Sequence, residues 1–581
     1  MAVLHAGNVR PVCLKLLHTS DVHGNYFTYD YVTNRPVRGG MSRVYAYVQA
    51  CRRVMGGRVL LLDGGDVLQG SPLVYYGNNS GLGLGGLTVE VMNYMGYDVA
   101  VMGNHDIEMG RDVFDDWVTR SRFDVLGANV IDERTGAPYL KPYTVIERAG
   151  VRVAVLGLTT PVVPFWLSAD LWRGLRFEEM VACARRWMEV IRGTEHPDVV
   201  VGLFHSGKEG GLVTPTCAEN AALDVARQVA GFDLVCYGHD HRCNTEVVPG
   251  PDGCDVVCCA PSSLGCVLDE VDIEVYPGSG QRPKVSVRQV DVSYYKSAEV
   301  QYMHHYFRRA TTNIKYLVGR RIGQVDEAIS SEEAYFGPSA FVDLIHRAQL
   351  DCTGAQLSFA PPLSFSAVIG PGDVFVRDMF GLYSHEDKLY VMRLTGREIK
   401  GILEMSYGLW INTMKGPDDH VMLLDYVLDG GKRLGFKNLA YNFDSLAGLR
   451  YTVDVTCRPG GRISIQGMAD GTPFSLDQWY TVAVNSYRGS GGGELFTLGG
   501  GIGQSELKDR IVTVMPHILR HYLTAYVERN GTIDTSPLGH WRLVPEEWAQ
   551  PACARDRVLL FGRREPQPEK TAGQPGTGAP Q

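Results

Sequence analysis

Four short islands of His, Asp and Asn stand in the first half of the chain: Asp21-Val22-His23-Gly24, Gly65-Asp66, Gly103-Asn104-His105-Asp106 and Gly238-His239-Asp240-His241. A fifth element, His205 in Phe204-His205-Ser206-Gly207, falls between the third and fourth. Imidazoles favour borderline metals and carboxylates harder ones, so the mixed set suits two divalent ions, Zn, Mn, Fe or Co. Asp66 is the natural bridge, because one carboxylate can give an oxygen to each ion. Two ions about 3.5–4 Å apart activate a water and clamp the attacking and leaving oxygens of a phosphoryl transfer. A lone buried His is more often a core residue than a ligand. Five such elements in one chain half are far harder to explain as packing.

The elements that must position these residues are short apolar runs of strand character, at 13–17, 59–62, 97–102, 199–204 and 234–237. Ligands carried on strand ends to one edge of a sheet are where an α/β fold builds its site. Two glycine patterns are decoys. The stretch 81–86 has dinucleotide-fingerprint spacing but follows a turn, and 202–208 has P-loop spacing with Glu209 where Ser or Thr must hold magnesium.

At the metal islands the chain resembles the calcineurin-like metallophosphoesterases. More narrowly it resembles the two-domain 5′-nucleotidases and 2′,3′-cyclic-nucleotide 2′-phosphodiesterase/3′-nucleotidases. The resemblance implies an α/β fold: an N-terminal four-layer α/β/β/α sandwich, a linker helix and a C-terminal α/β substrate domain. It implies one metal held by Asp21, His23, Asp66 and His241, and a second held by Asp66, Asn104, His205 and His239. It also implies a His–acid pair beside the metals, here His105 and Glu108, where a longer Glu stands in place of the family's Asp. His105 and Asn104 would hold the phosphoryl group, with Glu108 fixing the His105 tautomer.

The expected organisation is a catalytic domain over 1–296, a linker helix over 297–322, a substrate domain over 323–550, and a tail over 551–581 that is disordered towards its end. Strand-like runs at 267–275 and 284–292 would finish the second sheet of the first domain. Over 297–318 the apolar residues Val300, Met303, Phe307, Ile314 and Leu317 recur at helical spacing, and a helix packed on the first domain is the competing reading of this linker. The second domain alternates helix signals (339–350, 395–407) with strand signals (389–394, 449–455, 479–485).

Ser358-Phe359-Ala360-Pro361-Pro362 resembles a segment of the cyclic-phosphodiesterase branch, and Asn485-Ser486-Tyr487-Arg488 one whose aromatic stacks on a nucleobase. Both place Phe359 and Tyr487 among candidate substrate-binding residues. By register with the family's second aromatic, His385 takes the other side of the base, with Tyr383 as the alternative.

At 581 residues the chain is too long for one ordinary domain, and 45% apolar residues suffice for sizeable cores. A net charge of −9 argues against coating polymeric nucleic acid but not against a small phosphorylated ligand beside two cations. Thirteen cysteines without a Cys-x-x-Cys pair read as free buried thiols, with one or two disulfides unassigned. No run is long enough to span a bilayer. The resemblance implies a periplasmic or extracellular enzyme, whereas residues 1–10 carry no secretory signal and leave a cytoplasmic place open. The expected activity is attack of a metal-activated hydroxide on the phosphorus of a nucleotide, cyclic or open. A non-nucleotide substrate such as a sugar phosphate, or a catalytically silent nucleotide-binding protein, are the alternatives. Oligomeric state is not readable.

Overall fold

The computed structural model describes residues 11–78, 86–277, 279–428 and 433–562. The glycine-rich stretch 81–85 and the tail 563–581 lie outside the described residues.

Two six-stranded sheets face each other in the N-terminal half. The first runs Lys284–Asp291, Val267–Val275, Val12–Thr19, Val59–Asp63, Val99–Val101, Asp124–Leu126. The second runs Asn244–Pro249, Asp255–Ala260, Leu234–Tyr237, Val199–His205, Val151–Thr159, Tyr143–Arg148. Side chains alternate across a strand, and here both faces are covered. Leu14, Leu16, Leu60 and Leu62 enter the core between the sheets, together with Val199, Val201 and Leu203 from the opposite side. Their neighbours Leu17, Val59 and Leu61 face an outer helical layer, and Val200 and Phe204 face another. Burial on both faces is why these strands read as unbroken apolar runs rather than alternating ones. The result is the α/β/β/α order of layers.

Val12–Thr19 pairs parallel with Val59–Asp63, which pairs parallel with Val99–Val101. Val199–His205 pairs parallel with Leu234–Tyr237. Within each sheet these strands therefore release their chain at one edge, where each metal-type island begins.

One expectation is corrected. The strands Val267–Val275 and Lys284–Asp291 do not finish the second sheet. Val267–Val275 lies antiparallel to Val12–Thr19, and Lys284–Asp291 lies beside it at the edge of the first sheet. Alternation marked them as strands but says nothing about the partner.

The segment 297–322 holds two helices, Ala298–Tyr306 and Arg308–Val318, which meet at Phe307, and its last two residues already open the strand Arg321–Val325. Met303, Phe307, Ile314 and Val318 all enter the outer core of the first sheet. Val318, one turn (i,i+4) after Ile314 in the same helix, takes the buried place expected of Leu317, which is only half-buried.

The C-terminal half is built on a five-stranded sheet ordered Ser445–Ala447, Leu357–Ala360, Trp479–Asn485, Lys388–Thr395, Ile511–Ile518. Helix Ala340–Thr353 covers one face and Gly396–Trp410 the other. Ser339 caps the first through its side chain, and Thr395 with Glu398 forms a capping box on the second. Residues 551–561, expected as the start of a tail, instead complete a helix, Glu546–Phe561. Its Ala549, Ala552 and Leu560 join the C-terminal core. Among the described residues, no helix is long and apolar enough to cross a membrane.

Candidate metal centre and facing substrate cleft

The strand ends bring the islands together in two groups. Ligand atoms of Asp21, His23 and His241 lie within 4.8 Å of one another, as do those of Asp66, His205 and His239. Asp66 sits between them. Its Oδ2 is 3.2 Å from His205 Nε2 and 3.8 Å from His23 Nε2, is buried, and has no hydrogen-bond partner. Asp21 Oδ1 is equally orphaned, 3.4 Å from His241 Nε2. His23 Nε2 and His241 Nε2 face each other at 3.1 Å. Buried carboxylate oxygens without donors, ringed by converging imidazole nitrogens, are costly alone and fit a pair of cations. Asn104 adds its Oδ1 at 3.0 Å from His205 Nε2.

Surrounding groups fix these side chains. His205 Nδ1 meets the Gly64 carbonyl at 2.6 Å, which turns Nε2 inward. His23 Nδ1 pairs with Gln69 Oε1 at 3.1 Å. Asp21 Oδ2 accepts from the His239 backbone N–H at 2.9 Å. Asp106 ties two islands together: its carboxylate accepts from the backbone N–H groups of Gly103, Asp66, Val67 and Leu68 at 2.7–3.1 Å. Position 103 must be glycine, because a Cβ there would fall 2.1 Å from Asp66 Oδ1.

His105 Nδ1 lies 2.7 Å from Glu108 Oε1, so the longer acid does reach its histidine. Burial disfavours the charged form of His105, but the Glu108 and Asp66 carboxylates outweigh it and push its pKa up to about 10. Burial likewise opposes ionisation of Asp66, and the neighbouring His205 and His105 reverse this, holding it well below the usual carboxylate range.

The C-terminal half faces this centre. Rings of Tyr75 and Tyr76 meet Phe380 at 6.0 and 5.9 Å, and Arg520 lies 3.8 Å over Phe380 while pairing with buried Glu386 at 3.0 Å. Lys388 and Asp170 form an ion pair between the halves. Burial pushes the carboxyl of Asp387 up, and the charge of Glu108 on the opposite domain adds to it. Tyr487 is half-buried, with its ring against Gly492 and its edge towards Tyr441 at 6.3 Å and 84°. Burial raises the pKa of both tyrosine hydroxyls, and the Glu219 charge contributes to each. Glu219 Oε1 in turn is 3.0 Å from His239 Nε2. Glu219 thus touches one metal-type histidine and acts on the aromatic pair through its charge.

The remaining candidate substrate residues are placed differently from one another. His385 is half-buried on the loop between Val376–Leu382 and Lys388–Thr395. Tyr383 is buried at 1% exposure and donates to Asp387 Oδ2 at 2.8 Å. Phe359 is also 1% exposed, packed edge-on against Phe496 in the C-terminal core. Ser358 hydrogen-bonds buried His346 and Gln349. Arg488, fully buried, grips Asp444 with two nitrogens (3.1 and 2.8 Å) and reaches the Tyr441 and Gly492 carbonyls. It holds the Tyr441 turn against the Tyr487 loop. Gln69, Asp106, Glu219, Tyr441 and Arg488 were not singled out from the sequence for any role. Asp106 and Arg488 stand inside motifs quoted for their neighbours, and Gln69, Glu219 and Tyr441 outside any motif; the role of each comes only from what folding sets beside it.

Residues 14–243 match the family model of calcineurin-like phosphoesterases, and residues 321–499 match that of the 5′-nucleotidase C-terminal domain. The chain joins a calcineurin-like phosphoesterase domain to a 5′-nucleotidase C-terminal domain. Among curated proteins, this phosphoesterase is 25% identical to the 2′,3′-cyclic-nucleotide 2′-phosphodiesterase/3′-nucleotidase of Yersinia enterocolitica, covering 94% of this chain and 90% of that one. It is 26% identical to the trifunctional nucleotide phosphoesterase YfkN of Bacillus subtilis, over 92% of this chain but only 39% of that longer protein. A solved Staphylococcus aureus structure assigned to the 5′-nucleotidases shares the fold of this phosphoesterase with a TM-score of 0.73, at 22% identity, over 92% of this chain and all of its own.

Proposed function

We propose that the chain hydrolyses phosphoesters of nucleotides, as a 2′,3′-cyclic nucleotide phosphodiesterase with 3′- or 5′-nucleotidase activity. The observation that carries this reading is the orphaned Oδ2 of Asp66, shared between two groups of imidazoles, with the charge of Glu219 beside them reaching Tyr487 and Tyr441 of the other domain. Asp21, His23, Asp66 and His241 would hold one divalent ion, and Asp66, Asn104, His205 and His239 the other. When bound, the ions supply Lewis acidity and an activated water for in-line displacement at phosphorus.

The protein's own part follows from its geometry. His105, kept protonated by Glu108, presents a cation to the phosphoryl oxygens and stabilises the charge that develops there. Asn104 holds an oxygen of the same group. Tyr487 would offer an aromatic face to the base, which any nucleobase can use, with His385 as the candidate for its other side. Glu219 orients His239 through its 3.0 Å contact with Nε2.

A panel of 2′,3′-cyclic, 3′- and 5′-nucleotides with bis-p-nitrophenyl phosphate, assayed with Mn²⁺ and with chelator, tests the reading. Chelator-sensitive turnover with nucleotides preferred over bis-p-nitrophenyl phosphate supports it. Metal-dependent turnover without any nucleotide preference overturns the substrate class, and no turnover on the whole panel overturns the enzyme.

A further inference from the structure

A second cluster of metal-type side chains lies between the two sheets, on the strand bodies rather than their ends. His18 belongs to Val12–Thr19, Cys236 to Leu234–Tyr237 and Cys259 to Asp255–Ala260. All three are completely buried. A ring nitrogen of His18 and the two sulfurs lie within 4.8 Å of one another. None of the three belongs to the centre described above, and none was singled out by sequence spacing.

The local structure explains why they meet. Cys236 and Cys259 are direct partners in the parallel pairing of their strands, which leaves their Sγ atoms 3.8 Å apart as free thiols. Two thiolates bound at about 2.3 Å to a tetrahedral zinc lie about 3.8 Å apart, so the sulfurs already have the separation such an ion needs. His18 faces them from the other sheet. Its Nδ1 is 3.1 Å from Asp269 Oδ2, on the antiparallel neighbour of its strand. Its Nε2 is buried with no hydrogen-bond partner. A carboxylate behind one ring nitrogen, with the other nitrogen left free, is the arrangement of a metal-ligating histidine.

We propose that His18, Cys236 and Cys259 form a buried structural site for a thiophilic metal ion of the zinc class, with Asp269 orienting His18. Sulfur donors favour zinc over the harder ions that oxygen and nitrogen sites accept. Two thiolates balance the ion's two charges, which an apolar interior requires. Binding releases the two thiol protons. With no ion, the contact with Cys236, then burial and the neighbouring Asp269, push the Cys259 thiol well above its usual range. Loading takes place during folding, since the site is closed to solvent. The ion would tie the two sheets together three residues before Asp21 and three before His239, steadying the strands that carry both ligand groups.

Cobalt substitution distinguishes this site from the dinuclear centre, whose ligands contain no sulfur. The full chain is produced in Co²⁺-supplemented medium, and its absorption spectrum is recorded. The expected result is a thiolate-to-cobalt charge-transfer band in the wild type and in Asp66→Asn, lost in Cys236→Ala and Cys259→Ala. Zinc-grown Cys236→Ala should hold about one ion fewer per chain than the wild type. If the cysteine variants fail to fold, zinc-edge X-ray absorption on the wild type answers alone, with a zinc–sulfur scattering shell supporting the site. Absence of both the band and that shell overturns the proposal, as does a Cys236–Cys259 disulfide found by mass spectrometry of the native protein.

Discussion

Tyr487→Ala separates recognition of the nucleoside from chemistry at phosphorus. The half-buried ring leans on Gly492, where a Cβ would fall 2.5 Å from Cε2, and lies under the Arg488 guanidinium at 5.1 Å. Little of the surrounding structure depends on the ring itself. The Tyr487 N–H donates to Asp387 Oδ1 at 3.2 Å through backbone that alanine keeps. The Arg488 bonds to Asp444 and the two carbonyls also survive. The loss of stability should therefore stay within the common range of about 0.5–3 kcal/mol. Stacking on a base contributes about 1–3 kcal/mol, which at about 1.4 kcal/mol per factor of ten becomes a 5- to 150-fold rise in nucleotide KM. Steady-state kinetics on the preferred nucleotide and on bis-p-nitrophenyl phosphate should show that rise for the first alone, because the second has no base to stack. Tyr487→Phe keeps the face and should remain within about twofold of the wild type on both. An equal loss on both substrates, together with a lower melting temperature, would refute the reasoning and return Tyr487 to a packing role.

Asp66→Asn removes the oxygen placed to bridge both groups, and should lower bound metal and abolish hydrolysis in a folded chain; near-native turnover at saturating metal would sink the dinuclear assignment. Glu108→Gln should lower kcat by about 10²–10⁴-fold, the range of orienting and acid–base groups, while metal analysis shows both ions retained; loss of an ion would make Glu108 part of the ligand shell instead. His346 is held neutral, with its pKa depressed to about 3 by burial and by nearby His540. The folded chain therefore binds fewer protons than the unfolded one, whose imidazole titrates near 6.5. The contribution of His346 is complete above that pH and declines as pH falls towards 3, by up to about 1.4 kcal/mol per unit. Denaturant titrations of wild type and His346→Gln should converge as pH drops from 6.5 to 4, and a constant difference across that span would remove His346 from the account.

What was legible in the sequence, and what was not, divides along a physical line. His23, Asp66, His105, His205 and His239 could be found because each stands beside an apolar run whose strand character is local. The strand Trp479–Asn485 was legible to the residue for the same reason. The partners of strands were not: 267–275 alternates as a strand does, yet its pairing with Val12–Thr19 is a long-range choice. The break at Phe307 carries no Pro or Gly to announce it. Glu219 lies 20 residues from the histidine it orients, and Tyr441 lies 46 from Tyr487. Nothing in local patterning connects such pairs. His385 had a register but no geometry, and Phe359 carried a family resemblance whose side chain folds into the core.

The backbone itself carries a signal that composition could not. Among the described residues, ten non-glycine positions have positive φ, and five of them are Asp21, His23, Asp66, His239 and His241. Their φ values of 47–79° lie in the left-handed region, where Asp and His are tolerated better than most residues but still at a cost. Such conformations persist only where the surroundings over-determine them. Here the surroundings do so with Asp106 gathering four backbone N–H groups, Asp21 holding the His239 N–H, and Gly103 admitting Asp66 at close range. A chain folding for packing alone gains nothing from five left-handed acidic and imidazole residues at successive strand ends. These turns bring the ligand atoms of Asp21, His23 and His241, and those of Asp66, His205 and His239, within 4.8 Å of one another. That convergence leaves Asp66 Oδ2 and Asp21 Oδ1 without donors. Strain and unsatisfied charge thus share one cause, and the binding of two cations would offset both.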